Sequence, residues 1–222
     1  MAENKEKIAV IGAGLMGHGI AYLFAAAGHN VRVHDPIQVA LDALPKRIGE
    51  ICDLLKTDRA AIARVSGHID LKSAVADAAV VIEAAPEKPA LKVSIFGELE
   101  HLAPRDAILA SNTSAIPIKE ICRDVTNKAR VLGAHFWNPP HLVPLVEVIM
   151  MGEENLSAAQ RMMDLLRAAG RHPVLVKRDI PGFIGNRMQH ALKREAIALV
   201  ASGVCSARSE EHTSELQSHH DL

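Results

Sequence analysis

Residues 7–17 read Lys7-Ile8-Ala9-Val10-Ile11-Gly12-Ala13-Gly14-Leu15-Met16-Gly17, an apolar run that leads into three closely spaced glycines. The apolar run before the first glycine predicts a strand, and the uncharged run that continues to Ala27 predicts a helix. Val31-Arg32-Val33-His34-Asp35 predicts a second strand. Strand, glycine turn, helix and strand form the context in which a G-x-G-x-x-G motif binds the phosphates of a dinucleotide.

Each glycine of the motif has its own predicted role. Gly12 makes the tight turn, Gly14 lets a pyrophosphate approach the backbone, and Gly17 lets the helix pack on the strand. The amino end of the helix then faces the phosphates. Asp35 ends the second strand, where its carboxylate can accept hydrogen bonds from both ribose hydroxyls and would repel the additional phosphate of NADP. The sequence therefore predicts NAD as the cofactor.

The stretch 8–27 has a competing interpretation as a signal or membrane segment, because its twenty residues contain no Asp, Glu, Lys or Arg. The motif-spaced glycines and His18 favour the nucleotide turn over an uninterrupted apolar helix. We therefore expect no membrane association.

A second informative stretch places a histidine and a glutamate on neighbouring apolar segments. Residues 130–136 and 144–150 predict two strands, and Asn138-Pro139-Pro140 between them predicts a reversal of the chain. If the strands end on the same side of a sheet, His135 and Glu147 can meet. A carboxylate beside an imidazole fixes its tautomer, which prepares a general base. A hydrogen-bonded core histidine and an ordinary glutamate at a sheet edge are the alternative, which these two residues leave open.

Strands and helices alternate along most of the chain. Further strands are predicted at 68–71, 79–84, 107–110 and 173–176, and helices at 91–102, at 157–169 and at 37–56, where Pro45 should kink or split the helix. This alternation predicts an α/β fold with a Rossmann-type, doubly wound, mainly parallel sheet. After residue 180 the pattern becomes helical only, which predicts the start of an all-α domain.

We expect three segments. Residues 1–180 form an NAD-binding Rossmann domain, and residues 181–207 form the first helix of a truncated C-terminal helical domain. The apolar face of that helix should pack on further helices or on a second subunit. Residues 208–222 resemble an in-frame translation of a sequencing-library adapter, so we expect a non-native, disordered tail and a natural chain that continued past Ala207.

Composition narrows the classes of partner. The 222 residues have a net charge of -1 and only 3% aromatic residues, which offers nucleic acid neither a positive field nor stacking surfaces. Cys52, Cys122 and Cys205 are widely spaced, so they predict no disulfide framework and no zinc site. No H-E-x-x-H spacing occurs among the 12 histidines, and no metal is expected. A reducing cytoplasm is the expected compartment.

Five blocks of sequence, in their order and separation, resemble the 3-hydroxyacyl-CoA dehydrogenase family. They are residues 11–21, 81–92, 110–114, 135–147 and 181–187. The resemblance covers residues 6 to about 205. It implies an NAD-binding domain, a helical domain through which the full-length parent forms a homodimer, and oxidation of a 3-hydroxyacyl thioester to the 3-ketoacyl form.

The resemblance also implies roles for individual residues. His135 takes the hydroxyl proton while hydride leaves for the nicotinamide, and Glu147 orients His135. Ser114 and Asn186 hold the reacting oxygen or its surroundings. Cofactor contacts are implied for Gly12, Gly14, Leu15, Met16, Gly17, Asp35, Glu87, Lys92, Asn112, Ser114 and Asn138.

Three of these residues have simpler interpretations. Ser114 precedes Ile116 and Pro117 and could cap a helix. Asn186 could be an ordinary helix residue. Lys92 could be an exposed helix charge, as most lysines are.

The sequence Trp137-Asn138-Pro139-Pro140-His141 departs from the usual family pattern, in which a small apolar residue and a proline follow Phe-Phe-Asn-Pro. It is closer to relatives that act on other hydroxy substrates, including a hydroxylated pyridine carboxylate. Lys46, Arg47 and Lys56 could bind a CoA phosphate or be solvated charges.

Three functions stay open. The first is oxidation of a 3-hydroxyacyl-CoA or similar hydroxy acid. The second is a dehydrogenase of a carboxylated alcohol without CoA. The third is a catalytically silent NAD-binding homologue with a structural or sensing role.

Overall fold

The computed structural model describes residues 5–208, and the chain divides after Pro181 into two compact units. The strands of the first unit are β1 (Lys7–Ile11), β2 (Asn30–His34), β3 (Val65–His68), β4 (Val80–Glu83), β5 (Ile108–Ser111), β6 (Val131–Phe136), β7 (Leu145–Ile149) and β8 (His172–Val176). Its helices are α1 (Leu15–Ala26), α2 (Gln38–Asp42), α3 (Leu44–Leu55), α4 (Ala60–Ala63), α5 (Leu71–Val75), α6 (Pro89–Leu102), α7 (Ile118–Ile121) and α8 (Leu156–Ala168). The second unit contains α9 (Gly185–Ala201).

The eight strands form one sheet in the order β3-β2-β1-β4-β5-β6-β7-β8. All neighbours pair in parallel except β6 and β7, which are antiparallel, so β7 and β8 run opposite to the first six strands. The strand order reverses between β1 and β4, and open α/β sheets bind their ligands at such a switch point. The predicted Rossmann-type, mainly parallel sheet is confirmed.

The central strands are apolar because helices cover both faces of a parallel sheet. Residues 80–83 of β4 and 108–111 of β5 are buried throughout. Glu83 and Ser111 are the polar exceptions, and each ends its strand. The register aligns Ile11 with Glu83, Glu83 with Ser111, and Ser111 with Gly133, so the carboxyl ends of β1, β4 and β5 lie at one edge.

The uncharged stretch 8–27 forms β1, the glycine turn and α1, as the nucleotide-turn interpretation predicts. Within residues 5–208, no helix combines the length and the apolar character needed to cross a bilayer.

For two predicted elements, the limits in the structure differ from those expected from the sequence. The strand predicted at 68–71 is β3 and ends at His68, because the carboxylate of Asp70 accepts a hydrogen bond of 2.8 Å from the Ser73 N–H and starts α5 there. The helix predicted at 37–56 is split into α2 and α3, as expected from Pro45. That proline lies in the first turn of α3, where its missing N–H breaks no helical hydrogen bond. Of the tail predicted at 208–222, all but Arg208 lies outside the described residues.

Candidate active site

The three glycines of the turn have different surroundings. Gly12 has a φ of +106°, and a Cβ at this position would lie 2.7 Å from the Ala84 carbonyl oxygen. A Cβ on Gly17 would overlap the carbonyl oxygen of Gly12. A Cβ on Gly14 would have no atom within 4 Å. The turn therefore needs glycine at the first and third positions for packing, and the second faces space that a phosphate can use.

Two charged side chains hold the peptide groups on either side of Ala13. The Asp35 carboxylate accepts hydrogen bonds from the N–H groups of Ala13 and Ile37, both at 2.9 Å. Arg47 of α3 donates to the carbonyl oxygen of Ala13 at 2.8 Å. Arg47 is thus not simply a solvated charge, in contrast to its neighbour Lys46, whose side chain is 82% exposed. The Asp35 oxygens keep further lone pairs with which to accept ribose hydroxyls.

A cavity of about 520 Å³ adjoins Gly12 and Asp35. Its aliphatic lining comes from the loops after β2, β3 and β4, from the start of α5 and from α6, and includes Ile37, Ile69, Leu71, Pro86, Leu91 and Ile95. An apolar slot beside a carboxylate that is predicted to bind a ribose has the character expected of a site for an adenine ring. The sequence analysis missed these residues. The signal available in the sequence was a large apolar residue close behind a strand, as at Ile37 and Ile69, which the structure leaves 61% and 48% exposed.

His135 and Glu147 face each other across β6 and β7. His135 Nδ1 lies 2.8 Å from Glu147 Oε2, and the two residues are only 4% and 2% exposed. A carboxylate can only accept, so Nδ1 carries the hydrogen and Nε2 is the nitrogen that can take a proton. The ring of Trp137 lies 5.3 Å from that of His135, between centroids. Glu147 does not lie on an edge strand, because β7 is paired with β6 on one side and with β8 on the other.

Asn112 connects the ends of β5 and β6. Its side-chain oxygen accepts a hydrogen bond of 2.8 Å from the Phe136 N–H, directly after His135. Asn112 is buried, so this bond fixes the strand end that carries His135.

Ser114 lies on the bend after Asn112, and its N–H donates to Glu87 Oε1 at 2.8 Å. The helix-cap interpretation of Ser114 is wrong, because the N-cap residue of α7 is Pro117. The carboxylate of Asp179 accepts instead from the first N–H groups of that helix, those of Ile118 and Lys119.

Lys92 is buried, with a side chain that is 1% exposed, so its interpretation as an exposed helix charge is also wrong. Its Nζ donates to both oxygens of Glu83 at 2.7 and 2.9 Å. Nζ also lies 3.3 Å from Glu87 Oε2. Glu83 is fully buried and belongs to a matching sequence block, but the sequence analysis gave it no role.

Burial acts to raise the pKa of the Glu87 carboxyl, but its surroundings lower it on balance. The Thr113 hydroxyl, the Lys92 ammonium and the Ser114 N–H all stabilise the ionised form.

The other predicted site residues are dispersed. Leu15 and Met16 form the first turn of α1, where Leu15 is exposed and Met16 is half-buried. Asn138 is exposed in the loop after β6. Asn186 belongs to the second unit, as the second residue of α9. Within the first unit the fold thus brings His135 and Glu147 into contact, places Asn112 beside them, and links Glu87 to both Lys92 and Ser114.

Comparison with known proteins gives a family. Residues 7–180 match the model described as 3-hydroxyacyl-CoA dehydrogenase, NAD binding domain. The chain belongs to the 3-hydroxyacyl-CoA dehydrogenase family. The matched region is its NAD-binding domain, so NAD is the cofactor, as the sequence predicts, and the glycine turn, Asp35 and the apolar slot fit it.

Two relatives and one solved structure illustrate the range of the family. The chain is 36% identical over 202 residues to the 5-formyl-3-hydroxy-2-methylpyridine 4-carboxylate 5-dehydrogenase of Mesorhizobium japonicum, covering 89% of this chain and 65% of that relative. It is 33% identical to the 3-hydroxybutyryl-CoA dehydrogenase of Clostridioides difficile, covering 97% and 79% of the two chains.

A crystal structure of a 5-formyl-3-hydroxy-2-methylpyridine 4-carboxylic acid 5-dehydrogenase, described as an NAD⁺-dependent dismutase, superposes with a TM-score of 0.87. It is 33% identical, and the match covers 98% of this chain and 72% of the other. These relatives are named as dehydrogenases, and this chain spans about two thirds of the length of the first of them. Over residues 5–208, no group of three or more His, Cys, Asp or Glu side chains is arranged to hold a metal ion.

Proposed function

We propose that this protein oxidises a secondary hydroxyl group to a carbonyl group, with His135 as the general base. The observation that carries the proposal is the buried contact of 2.8 Å between His135 Nδ1 and Glu147 Oε2. A histidine oriented in this way by a carboxylate can accept a proton at Nε2, and the carboxylate stabilises the imidazolium that forms. When bound, NAD supplies the hydride acceptor.

Each residue of the site has its own proposed role. His135 Nε2 takes the hydroxyl proton, Glu147 holds the ring, and Asn112 holds the strand end that carries His135. Ser114 and Asn186 are each proposed to hold the reacting oxygen or its surroundings, where polar groups stabilise developing charge. The cofactor is proposed to contact Gly12, Gly14, Leu15, Met16, Gly17, Asp35, Glu87, Asn112, Ser114 and Asn138, and to be reached by buried Lys92 through Glu87.

The proposed substrate is a 3-hydroxyacyl-CoA or a similar hydroxy acid. A carboxylated alcohol without CoA is the second candidate. Residues 137–141 favour it, because they depart from the usual family sequence, and so does the pyridine carboxylate in the name of the relative from Mesorhizobium japonicum. The buried His135–Glu147 pair argues against a catalytically silent homologue.

Assembly and compartment are also proposals. The second unit exposes Met188, Leu192 and Ile197 of α9, which supports a homodimer of the full-length parent. All three cysteines are unpaired, and two are buried, which supports a cytoplasmic location.

NADH formation on a panel of hydroxyacyl thioesters and free hydroxy acids tests the proposal in the full-length parent. We expect His135→Ala to lower kcat by roughly 10²–10⁴ with an unchanged affinity for NAD, the range expected for loss of a general base. His101→Ala is the matched control, because His101 is an exposed histidine of α6. Near-normal turnover of His135→Ala would refute the assignment. The panel separates the two substrate classes by their kcat/KM values.

A further inference from the structure

A buried carboxylate with no assigned role ends the strand at the switch point. Glu83 is the last residue of β4 and is fully buried. Its carboxylate accepts hydrogen bonds from Lys92 Nζ at 2.7 and 2.9 Å, from Ser111 Oγ at 2.6 Å and from the Ala85 N–H at 2.7 Å. Three chain segments thus converge on one negative charge: the loop after β4, helix α6 and the end of β5.

Lys92 extends this network to a second carboxylate. Its ammonium also donates to the Ala85 carbonyl oxygen at 3.3 Å, and it lies 3.3 Å from Glu87 Oε2. The other oxygen of Glu87 accepts from the Thr113 hydroxyl at 2.6 Å and from the Ser114 N–H at 2.8 Å. Glu83 therefore reaches the bend that carries Ser114 by two routes, through Ser111 directly and through Lys92 and Glu87.

The loop after β4 also touches the glycine turn. The Ala84 N–H donates to the Ile11 carbonyl oxygen at 2.8 Å, and the Ala84 carbonyl oxygen occupies the space that a Cβ on Gly12 would need. One network thus ties the cofactor-binding turn to the bend that carries Asn112 and Ser114. The Glu83 and Lys92 side chains are 0% and 1% exposed, so neither presents its charge to a ligand.

We propose that Glu83 is a positioning residue that, with Lys92, holds the glycine turn and the Ser114 bend in fixed relative positions. Its effect on turnover rests on the proposed function of Ser114, whereas its effect on NAD affinity does not. The resemblance implied a direct contact between Lys92 and the cofactor. The burial of Lys92 assigns it an indirect role through Glu87 and the loop after β4.

The charge and the shape of the Glu83–Lys92 pair have separable effects. Replacing a buried ion pair by apolar side chains of similar volume often leaves stability unchanged, whereas removing one partner leaves an uncompensated charge. Apolar side chains cannot accept the hydrogen bonds from Ser111 and Ala85, so the two loops lose their common anchor even if the core is well packed. In a variant with apolar residues at both positions, stability should therefore recover while cofactor affinity stays reduced.

The experiment measures the unfolding temperature and the NAD affinity of the 222-residue chain by calorimetry. Glu83→Gln should lower both, because Lys92 then draws Glu87 away from Thr113 and Ser114. The double variant Glu83→Leu/Lys92→Met should recover most of the unfolding temperature. Its NAD dissociation constant should stay raised by about tenfold, which is a loss of roughly 1.4 kcal/mol of binding free energy. Asn155→Ala is the control, since Asn155 is fully buried and makes four hydrogen bonds at the other end of β6. It should lower stability and leave NAD affinity unchanged.

Recovery of NAD affinity together with stability in the double variant would overturn the proposal, because the pair would then act on folding alone. An NAD affinity that falls in Asn155→Ala as much as in the double variant would overturn it too. In the full-length parent, the double variant should also lower kcat with the best substrate. If the parent oxidises no substrate, the proposed function fails, and the NAD affinities still decide the role of Glu83.

Discussion

Substituting the glycines of the turn one at a time should separate folding from cofactor binding. Gly12→Ala places a methyl group 2.7 Å from a backbone oxygen, that of Ala84, which cannot swing away. The left-handed φ of +106° costs about 1–2 kcal/mol for an L side chain. The overlap costs about 1–3 kcal/mol more. The free energy of unfolding should therefore fall by about 2–5 kcal/mol, which lowers Tm by roughly 4–20 °C for a chain of this size.

Gly14→Ala should behave in the opposite way. A Cβ there meets nothing within 4 Å and the φ is -71°, so stability should stay within about 0.5 kcal/mol of the parent value. The methyl group occupies the space that the pyrophosphate needs, and NAD affinity should fall. Gly97→Ala is the control, because Gly97 lies in α6 with open space around it. It should raise stability by about 0.5–1 kcal/mol.

Thermal unfolding followed by circular dichroism and NAD titration by calorimetry give the two quantities for each variant. An unchanged Tm in Gly12→Ala would refute the strain argument. Unchanged NAD affinity in a folded Gly14→Ala would show that the phosphates do not approach the backbone at this glycine.

Three other predictions concern charged groups. Asp35→Ala should narrow the preference for NAD over NADP in calorimetric titrations, and equal affinities in the unaltered protein would contradict the role of Asp35. In the full-length parent, Glu147→Gln and His135→Ala should have non-additive effects on kcat, since both act through one pair, whereas additive losses would separate their roles. The pKa of Glu87 is lowered in the folded protein, so its stabilising effect is complete above its unfolded-state pKa and is lost as pH falls through the folded-state pKa. Glu87→Gln should therefore flatten the decline of unfolding free energy in acid, and an unchanged acid profile would exclude this contribution.

Features that depend on neighbouring residues could be predicted from the sequence. The turn at Gly12, Gly14 and Gly17 and the second strand before Asp35 follow from spacing along the chain, because β1, the turn, α1 and β2 are consecutive in sequence. The alternation of strands and helices likewise predicted the parallel sheet. The position of β3 was missed by three residues, because the capping hydrogen bond of Asp70 decides locally where α5 begins.

Features that depend on distant segments needed the tertiary structure. His135 and Glu147 meet only because β6 and β7 pair antiparallel in one particular register, which the sequence left open. The cap of α7 comes from Asp179, about sixty residues further along the chain. The burial of Lys92 against Glu83 depends on how α6 packs at the end of β4, and nothing in the local pattern distinguishes this lysine from a solvated one. The sequence by itself determines the chemistry of each side chain. Burial decides how strongly charges interact, and it arises only when segments far apart in the chain pack together.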